Sequence, residues 1–313
     1  MKKAWMRPLR GTAGLLAIGL ILEAAVRICG AIDFPIYETD TSIGYIPSAN
    51  QSGSFLRKNE WHFNELNMGA DSFTPGPWVD TLLIGDSVVL GGNPITQEDR
   101  LGAALQRAAG GRVWPISAGS WAIRNELTYL RTHRAVIAKI DRIVFVINSG
   151  DLHDRKSQWT CDANHPRKKP TVALWYLLEK YFLHLKECAP PLDAAEHQSV
   201  IWRQEFEASM RWPETLGKPI YVVVHLAVNE LSAPSTQASA EATILKSLKD
   251  YKNLRFIIPS HSKKWGQHLY RDAIHLNTDG NRVLADIIQA HLNTPPLNFK
   301  HAANYPTTRL IAR

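Results

Sequence analysis

The chain has 313 residues, of which 45% are hydrophobic and 21% are charged, and its formal net charge is +7. This length and composition are those of a folded protein that can bury one substantial core, and they exclude a disordered chain. The modest positive charge permits an anionic partner, although general solubility explains it more simply. The sequence shows no zinc-finger spacing, recognition-helix pattern or arginine-rich arm, so we expect no nucleic-acid partner.

The first 34 residues predict a membrane anchor. Four basic residues, the last of them Arg10, precede an uncharged run at residues 11–22, and apolar character continues to about Phe34. Basic residues ahead of an apolar segment place the N-terminus inside and the following domain outside. The uncharged run is short for a span, but Glu23 and Arg27 lie four residues apart and can neutralise each other on a helix. We therefore predict a single-pass helix that crosses a bacterial inner membrane through residues 11–33, with the remaining chain in the periplasm. A cleaved signal peptide is the alternative.

An oxidising compartment bears on the three cysteines. Cys29 lies at the predicted membrane segment, whereas Cys161 and Cys188 bracket a stretch that interrupts the regular pattern of the chain. The periplasm permits a disulfide between Cys161 and Cys188. Spacing alone does not establish one, so the paired and unpaired states both remain open. No Cys or His spacing in the sequence is typical of zinc.

The rest of the chain divides by pattern. Residues 35–77 are rich in Gly, Pro, Asn and Ser, so we expect an extended segment that packs on the following domain. Strands and helices alternate over residues 78–295, with an insertion at about 152–216 that holds one helix at 172–185, and residues 296–313 form a C-terminal tail. The predicted strands are 78–84, 112–116, 142–148, 219–226 and 254–258, and the predicted helices are 96–109, 120–139, 238–251 and 278–292.

This alternation predicts the fold class. Short apolar strands such as residues 78–84 are typical of a parallel sheet that is covered on both faces. We therefore predict an α/β fold with three layers, α/β/α, around a central, mostly parallel five-stranded sheet. Ligands of such sheets bind beyond the carboxyl ends of the strands, which is where reactive side chains are expected.

A candidate nucleophile follows the first strand of this sheet, in the tripeptide Gly85-Asp86-Ser87. A serine just beyond a buried strand, at a turn into a helix, presents its hydroxyl to the crevice, and nearby backbone N–H groups can receive an oxyanion. The pattern differs from the Gly-x-Ser-x-Gly elbow of the α/β-hydrolases. Alone, it is also a common turn sequence.

A second block, from Asp272 to His275, lies directly before the last predicted helix. A serine hydroxyl is a weak nucleophile until an imidazole takes its proton, and the imidazole needs a carboxylate that fixes its tautomer. An Asp three residues ahead of a His supplies both groups from one loop. Each block alone is explained by ordinary turn and surface residues, but together they predict a triad with Ser87.

Together these blocks resemble the SGNH/GDSL hydrolase family, in which a Gly-Asp-Ser block follows the first strand and an Asp-x-x-His block closes the domain. The resemblance covers about residues 78–292 and implies a flavodoxin-like fold. It implies that Ser87 is the nucleophile, His275 the general base and Asp272 the carboxylate that orients His275. The predicted anchor and the Ile43-Gly44-Tyr45 segment are similar to a membrane-anchored bacterial branch of that family.

The two middle blocks of the family match less well. The second block keeps Gly119, and the resemblance implies that the N–H groups of Ser87 and Gly119 bind the oxyanion. The third block of the family is Gly-x-Asn-Asp, whereas this chain has Asn148-Ser149-Gly150-Asp151, with the Asn two positions early. Losing one such donor costs about 2.7–4 kcal/mol of transition-state stabilisation. Either Asn148 turns inward as a third oxyanion donor, or the site lacks it.

Further polar and aromatic residues near these blocks are candidates for substrate contact. Asp151 follows the third block, and Trp265 and Tyr270 precede the last one, although ordinary packing is the alternative for both aromatic residues. Asp151 and the nearby His153 and Asp154 are spaced too tightly for a metal site, so we expect no metal. His225, at the end of the fourth strand, is expected to be a packed or crevice-wall histidine.

The predicted function is therefore a serine esterase that acts through an acyl-serine intermediate. The resemblance implies a partner, an acylated carbohydrate substrate of the cell envelope or of exported material, with O-acetyl as the expected group and no metal or organic cofactor. A polysaccharide O-acetyltransferase of the same fold is one alternative. A non-catalytic glycan-binding accessory protein is another, and the altered third block favours it.

Overall fold

The computed structural model describes residues 6–152, 156–158, 164–183, 201–251 and 253–292, with the backbone alone for residues 6–13, 212 and 215. The strands in these ranges are β1 (Tyr37–Asp40), β2 (Gly44–Pro47), β3 (Gln51–Phe55), β4 (Asn59–Phe63), β5 (Asp80–Gly85), β6 (Arg112–Ser117), β7 (Arg142–Ile147), β8 (Ile220–Val224) and β9 (Leu254–Ile257). The helices are α1 (Met6–Ile28), α2 (Ser87–Leu90), α3 (Leu101–Ala109), α4 (Ile123–Thr132), α5 (Arg134–Lys139), α6 (Ala173–Leu178), α7 (Ile201–Thr215), α8 (Pro234–Leu248) and α9 (Thr278–Leu292).

The central sheet has five strands in the order β6-β5-β7-β8-β9, and every pairing is parallel. Counted along the chain this order is 2-1-3-4-5, the flavodoxin-like arrangement, which reverses direction between β5 and β7. The strands are nearly continuous apolar runs because both faces are covered; β8, for example, is buried at all five positions. The predicted α/β class with a parallel five-stranded sheet is confirmed.

Successive side chains of each strand enter two separate hydrophobic cores. Leu82 and Ile84 of β5 lie in one core, which also receives side chains from α4, α5, α7 and α8. Leu83, between them, lies in the other core, with side chains from α2, α3 and α9. The sheet is therefore the middle layer, with helices on both faces. This layering leaves the carboxyl ends of the strands open for a functional site.

The segment at residues 35–77 has more regular structure than its sequence indicates. It contains two antiparallel hairpins, β1–β2 and β3–β4. Tyr45 and Met68 are buried in the first core, and the carbonyl of Tyr45 accepts a hydrogen bond from Trp121 Nε1 at 2.8 Å. Strands of four or five residues are too short to show a clear period in the sequence, which is why these hairpins were not predicted.

The chain between β7 and β8 holds helices in two places. The predicted helix at 172–185 is observed as α6 followed by a π-helical turn, Glu179–Leu183. We predicted no helix at 201–215, yet α7 lies there and buries Trp202, Phe206 and Met210 along one face. Cys161 and Cys188 lie outside the described residues, so their disulfide stays a prediction. Cys29 is an exposed free thiol.

A helix forms where the membrane anchor was predicted. Helix α1 covers 23 residues, from Met6 to Ile28. In the part of the chain that the structure describes, no helix combines the length and the apolar character needed to cross a bilayer. The predicted span through residues 11–33 therefore has no support from the structure.

Candidate active site

The candidate site lies beyond the carboxyl ends of three adjacent strands. Gly85 of β5 is aligned with Ser117 of β6 and with Val146 of β7. Ser87, Gly119 and Asn148 each follow two residues after these aligned positions, so the topology brings them to the same edge of the sheet. This edge is also where the strand order reverses, the position at which parallel sheets form a crevice.

The structure brings Ser87, His275 and Asp272 together. Ser87 Oγ lies 2.9 Å from Nε2 of His275. Nδ1 of the same imidazole lies 2.8 and 2.9 Å from the two carboxylate oxygens of Asp272. With the Nδ1 proton directed at Asp272, Nε2 has a lone pair that can accept the Ser87 hydroxyl proton. This is the geometry of a nucleophile activated by an oriented base.

The loop that carries His275 is fixed by hydrogen bonds from several directions. Asp272 Oδ1 accepts the backbone N–H groups of Ile274 at 3.1 Å and His275 at 2.9 Å, which closes a tight turn. The Arg271 N–H donates to the His275 carbonyl at 2.9 Å. Behind the loop, Nε2 of buried His225 lies 2.7 Å from the Ile274 carbonyl. These bonds hold the imidazole in place without help from a substrate.

A glycine explains how α9 begins so close to this loop. A Cβ at Gly280 would lie 2.2 Å from the carbonyl oxygen of Leu269. No other residue type fits that approach without moving the backbone. Gly280 therefore lets the start of α9 pack directly against the chain that leads into the catalytic loop.

The electrostatics of the loop keep its carboxylate charged. Burial alone would raise the pKa of Asp272, but hydrogen bonds from the N–H groups of His275 and Ile274, together with the imidazole, outweigh it and lower the pKa. Arg271 Nε also lies 3.4 Å from Asp272 Oδ2, while another nitrogen of Arg271 donates to the Gly91 carbonyl at 2.8 Å. An ionised Asp272 stabilises the imidazolium that forms when His275 accepts a proton.

Asp86, Asn148 and Asp151 form a buried network of carboxyl and amide groups next to Ser87, which we call the floor of the site. Asp86 Oδ1 accepts the Val88 N–H at 2.9 Å and so caps α2. Asp86 Oδ2 accepts from Asn148 Nδ2 at 3.2 Å. Asp151 Oδ2 in turn accepts the Asn148 backbone N–H at 2.8 Å. The third block therefore supports the nucleophile turn from below.

The carboxyl groups of this floor resist ionisation. Burial raises the pKa of Asp86, and it raises the pKa of Asp151 and of Glu126 well above the usual range. The charge of Asp86 raises the last two further. Three carboxyl groups in one dry cluster cannot all be charged at neutral pH.

The backbone of Gly119, which follows β6, is fixed by a hydrogen bond from a distant side chain. Its carbonyl accepts a hydrogen bond from the Tyr45 hydroxyl. A Cβ at Gly119 would lie 3.0 Å from Nε2 of His165, whose ring is tilted against that of Tyr45 with centroids 4.8 Å apart. Among the described residues, the Gly119 N–H has no hydrogen-bond acceptor. It can therefore donate to an incoming oxyanion.

The Asn148 amide is near the nucleophile turn but points at Asp86. Its oxygen accepts the Gly150 N–H at 2.7 Å, and its nitrogen donates one hydrogen to Asp86. Asn148 is 6% exposed. Nδ2 carries two hydrogens, and the Asn148 side chain also hydrogen-bonds to the Asp151 carboxyl, where it opposes the rise in pKa that burial causes.

The three predicted substrate-contact residues are more buried than expected. Asp151 is 3% exposed and bonds inward, which favours a supporting role over substrate contact. Tyr270 is 9% exposed, and its hydroxyl donates to the Leu226 carbonyl at 2.6 Å. Trp265 packs edge-on against Tyr270 and His225 and is half-buried. Burial lowers the pKa of His225 to about 4, so it is neutral and serves the loop as a packed donor.

Several supporting residues were not found from the sequence. Tyr45 and His165 reach the site only because distant segments fold onto it, and nothing in the sequence marks their contact with Gly119 or each other. Arg271 stands beside Asp272 in the chain, but its bond to the Gly91 carbonyl is visible only in the fold. Asp86 was visible in the Gly-Asp-Ser motif, but its bond to Asn148 depends on the neighbouring strand. His153 and Asp154 lie outside the described residues. Among the described residues, no cluster of His, Cys, Asp and Glu could hold a metal ion.

Comparison with known proteins gives distant likenesses only. No family model matches the chain, and no curated protein matches it. Among solved structures, an acetylxylan esterase from Geobacillus stearothermophilus (Axe2) is 13% identical, with 71% of this chain and 97% of that chain covered and a TM-score of 0.39. The acetyl xylan esterase AlAXEase is 15% identical, with 68% and 100% covered and a TM-score of 0.41. The salicylyl-acyltransferase SsfX3 of a tetracycline biosynthetic pathway is 12% identical, with 71% and 56% covered and a TM-score of 0.41. Likenesses this distant assign no activity.

Proposed function

We propose that the protein is a serine esterase of the SGNH type that removes O-acyl groups, chiefly O-acetyl, from cell-envelope or exported carbohydrate. The observation that carries the proposal is the 2.9 Å contact between Ser87 Oγ and His275 Nε2, with Asp272 on the far side of the imidazole. Residues 188 positions apart in the chain meet in the arrangement that activates a hydroxyl.

The reaction proceeds in two displacements. Ser87 Oγ attacks the ester carbonyl carbon while His275 Nε2 takes the hydroxyl proton, and Asp272 stabilises the imidazolium. The tetrahedral intermediate then breaks its bond to the sugar oxygen, which leaves as an alcohol with the proton from His275. Water attacks the acyl-serine with His275 as base, which releases the carboxylic acid and restores Ser87.

The negative oxygen of each tetrahedral intermediate needs donors. The N–H groups of Gly119 and of Ser87 supply two in this proposal, and the second amide hydrogen of Asn148 supplies a third. Asn148 thus takes the part that the family gives to an Asn two positions later, where this chain has Gly150.

The openness of the site supports a bulky polar substrate. The side chains of Asp272 and His275 are 47% and 27% exposed, so the triad lies at the surface and not at the end of a tunnel. An ester that protrudes from a polymer can reach such a site. This supports an O-acyl group carried on a carbohydrate.

The compartment remains a second part of the proposal. Basic residues ahead of the uncharged run at 11–22 support export and attachment at a bacterial inner membrane, with the catalytic domain in the periplasm. Protease treatment of intact spheroplasts tests this. Digestion of the domain from outside is expected, and protection until lysis would contradict it.

A fluorophosphonate probe and an aryl acetate together test the activity. The Ser87→Ala variant is expected to lose labelling and at least about a thousand-fold of turnover. Ser239→Ala, which changes an exposed serine on α8, is the matched control and should keep both. Labelling without release of acetate, together with acetyl transfer to an added glycan, would identify a transferase. A folded protein that takes up no probe would be the non-catalytic accessory protein.

A further inference from the structure

Large hydrophobic side chains that are exposed are concentrated on two touching elements. Seven of them lie on α1 and six on residues 172–183, against four in the rest of the described chain. The α1 residues are Leu15, Leu16, Ile18, Leu20, Ile21, Leu22 and Ile28, and the others are Val172, Trp175, Leu178, Tyr181, Phe182 and Leu183. We call these thirteen side chains the apolar surface. Because a soluble surface scatters such residues singly, a patch of this kind marks an interaction site.

A polar clamp joins the two elements. The Glu23 carboxylate accepts the backbone N–H groups of Ala173 at 2.8 Å and Leu174 at 2.9 Å, at the start of α6. Arg27 donates to Glu23 at 2.7 Å and to the Thr171 carbonyl at 2.6 Å. Glu23 and Arg27, the two charged residues in the C-terminal half of α1, thus have a defined purpose. They fix residues 172–183 beside α1.

The inner side of this unit is fastened to the domain. Ile32, Phe34 and Ala173 form a small buried cluster, and the Phe34 ring lies 5.1 Å from that of Tyr176. Lys169 donates to the carbonyl of Phe34. Trp175 and Phe182, in contrast, are 53% and 76% exposed. The apolar surface therefore faces away from the domain on a rigid support.

The distribution of the exposed residues favours a lipid bilayer as the occupant. Leu20, Ile21 and Leu22 are consecutive, and successive helical positions are turned by about 100°. With Leu15, Leu16 and Ile18, the part of α1 at residues 15–22 therefore exposes apolar side chains all around its circumference. A protein groove covers one face of a helix, whereas lipid chains cover all of them. The uncharged run at 11–22 is about 18 Å long, roughly 60% of the ~30 Å hydrocarbon core.

Aromatic residues of the apolar surface, and the lysines near it, are of the types found where a membrane meets water. Trp175 and Tyr181 are the types that collect where hydrocarbon meets headgroups. Lys168 and Lys180 lie beside or within residues 172–183, and Lys58 lies on the hairpin whose Leu56 N–H donates to the Gly30 carbonyl. Positive charge at that level attracts anionic lipid headgroups.

We propose that residues 172–183 enter an anionic lipid bilayer beside α1, so that the catalytic domain is held on the membrane at two adjacent points and in a fixed orientation. A single helix would leave the domain free to rotate about one tether. Because Glu23 binds the start of α6, α1 and residues 172–183 contact the membrane as one rigid unit. This inference does not depend on the esterase activity.

Fluorescence on vesicles tests the second contact point. In the full chain with its three cysteines changed to Ser, Phe182→Cys carries an environment-sensitive fluorophore, and Trp78→Cys, exposed elsewhere on the domain at 57%, is the matched control. The vesicles contain equal parts phosphatidylcholine and phosphatidylglycerol. A several-fold rise in emission and quenching by lipids with nitroxide-labelled chains are expected at position 182 alone. Quenching at an Ile18→Cys label but not at 182 would mean that α1 alone enters the bilayer, which overturns the proposal.

A second measurement uses protein that keeps its native cysteines and carries no label, so that misfolding of the labelled variants cannot affect it. Brominated lipids are expected to quench part of the intrinsic tryptophan emission, and Trp175→Phe should remove much of that quenching while Trp78→Phe leaves it unchanged. Equal quenching in both variants would contradict insertion of residues 172–183. Burial of position 182 that depends on protein concentration and not on lipid would show that a second copy of the chain covers the surface, and it would equally overturn the proposal.

Discussion

Two loops flank Ser87, and each carries an aspartate whose pKa is shifted in the opposite direction from the other. The loop at Asp272 is open to solvent and surrounds its carboxylate with N–H donors, which lower its pKa. In the loop at Asn148–Asp151 the first and last side chains are buried, and this burial raises the pKa of Asp151 well above the usual range. The surroundings thus favour the charged form of Asp272 and the neutral form of Asp151. One loop serves the chemistry, and the other supports the turn that carries the nucleophile.

The largest effect is expected from removing the charge of the open loop. Asp272→Asn keeps the shape of the side chain but lets His275 adopt the wrong tautomer, so kcat on an aryl acetate should fall by about ten-thousand-fold. Asp279→Asn, an exposed change on α9, should have no such effect and serves as the control. A loss below ten-fold would show that Asp272 does not orient the imidazole.

A smaller loss of activity is expected on the buried side. Asn148→Ala removes one oxyanion donor and should lower kcat by about a hundred-fold with little change in KM. Asn253→Ala, at an exposed turn before β9, is the control. Thermal melting of both variants separates a loss of fold from a loss of chemistry. If folded Asn148→Ala keeps full kcat, the oxyanion is held by backbone N–H groups alone.

The buried carboxyl cluster also predicts how stability depends on pH. The pKa of Glu126 is raised in the folded state, so its contribution is fully present at low pH and is lost as pH rises through that folded pKa. Asp272, whose pKa is lowered, acts in the opposite sense: its contribution is present above the unfolded pKa and is lost as pH falls through the folded one. Glu126 on α4 and Asp272 in the open loop therefore limit stability from opposite ends of the pH scale.

Changing Glu126 removes its contribution to the pH dependence of stability and leaves that of Asp272. Glu126→Met replaces a buried acid, whose two oxygens have no hydrogen-bond partner among the described residues, with an apolar side chain of similar size. We expect a gain of about 1–3 kcal/mol in unfolding free energy that grows as pH rises. Denaturant titrations across the pH range measure it. A variant that loses stability at alkaline pH would show that the Glu126 charge is compensated in the native protein.

The smallest effect is expected behind the open loop. His225→Phe removes the hydrogen bond to the Ile274 carbonyl and should cost about 1–3 kcal/mol of stability, with a fall in kcat of less than ten-fold. His291→Phe, exposed on α9, is the control. Unchanged melting and unchanged kcat would mean that the turn at Asp272 positions His275 without His225.

The sequence predicts the parts of this molecule that depend on local pattern. The five sheet strands appear as apolar runs because both faces of a parallel sheet are buried. The predicted helix at 278–292 has the same bounds as α9. The hairpins at residues 37–63 were missed because their strands are short. Helix α7 was missed because its buried Trp202, Phe206 and Met210 lie in a stretch that resembles an insertion.

The candidate site divides in the same way. Ser87, Asp272 and His275 stand in two short motifs, so their residue types and spacing predict a triad before any fold is known. The orientation of the Asn148 amide could not be predicted, since it is set by Asp86 in the turn after β5. The same holds for His165 and Tyr45, which reach Gly119 only through long-range packing.

The central claim is that Ser87 becomes acylated, and trapping that ester tests it most directly. The protein is mixed with an aryl acetate, quenched in acid within the first turnover and mapped by peptide mass spectrometry. The account predicts one acetyl group on the peptide that contains Ser87, and none on the same peptide of His275→Ala. Turnover of the ester with no acetyl on Ser87, or with the acetyl on another residue, would contradict it.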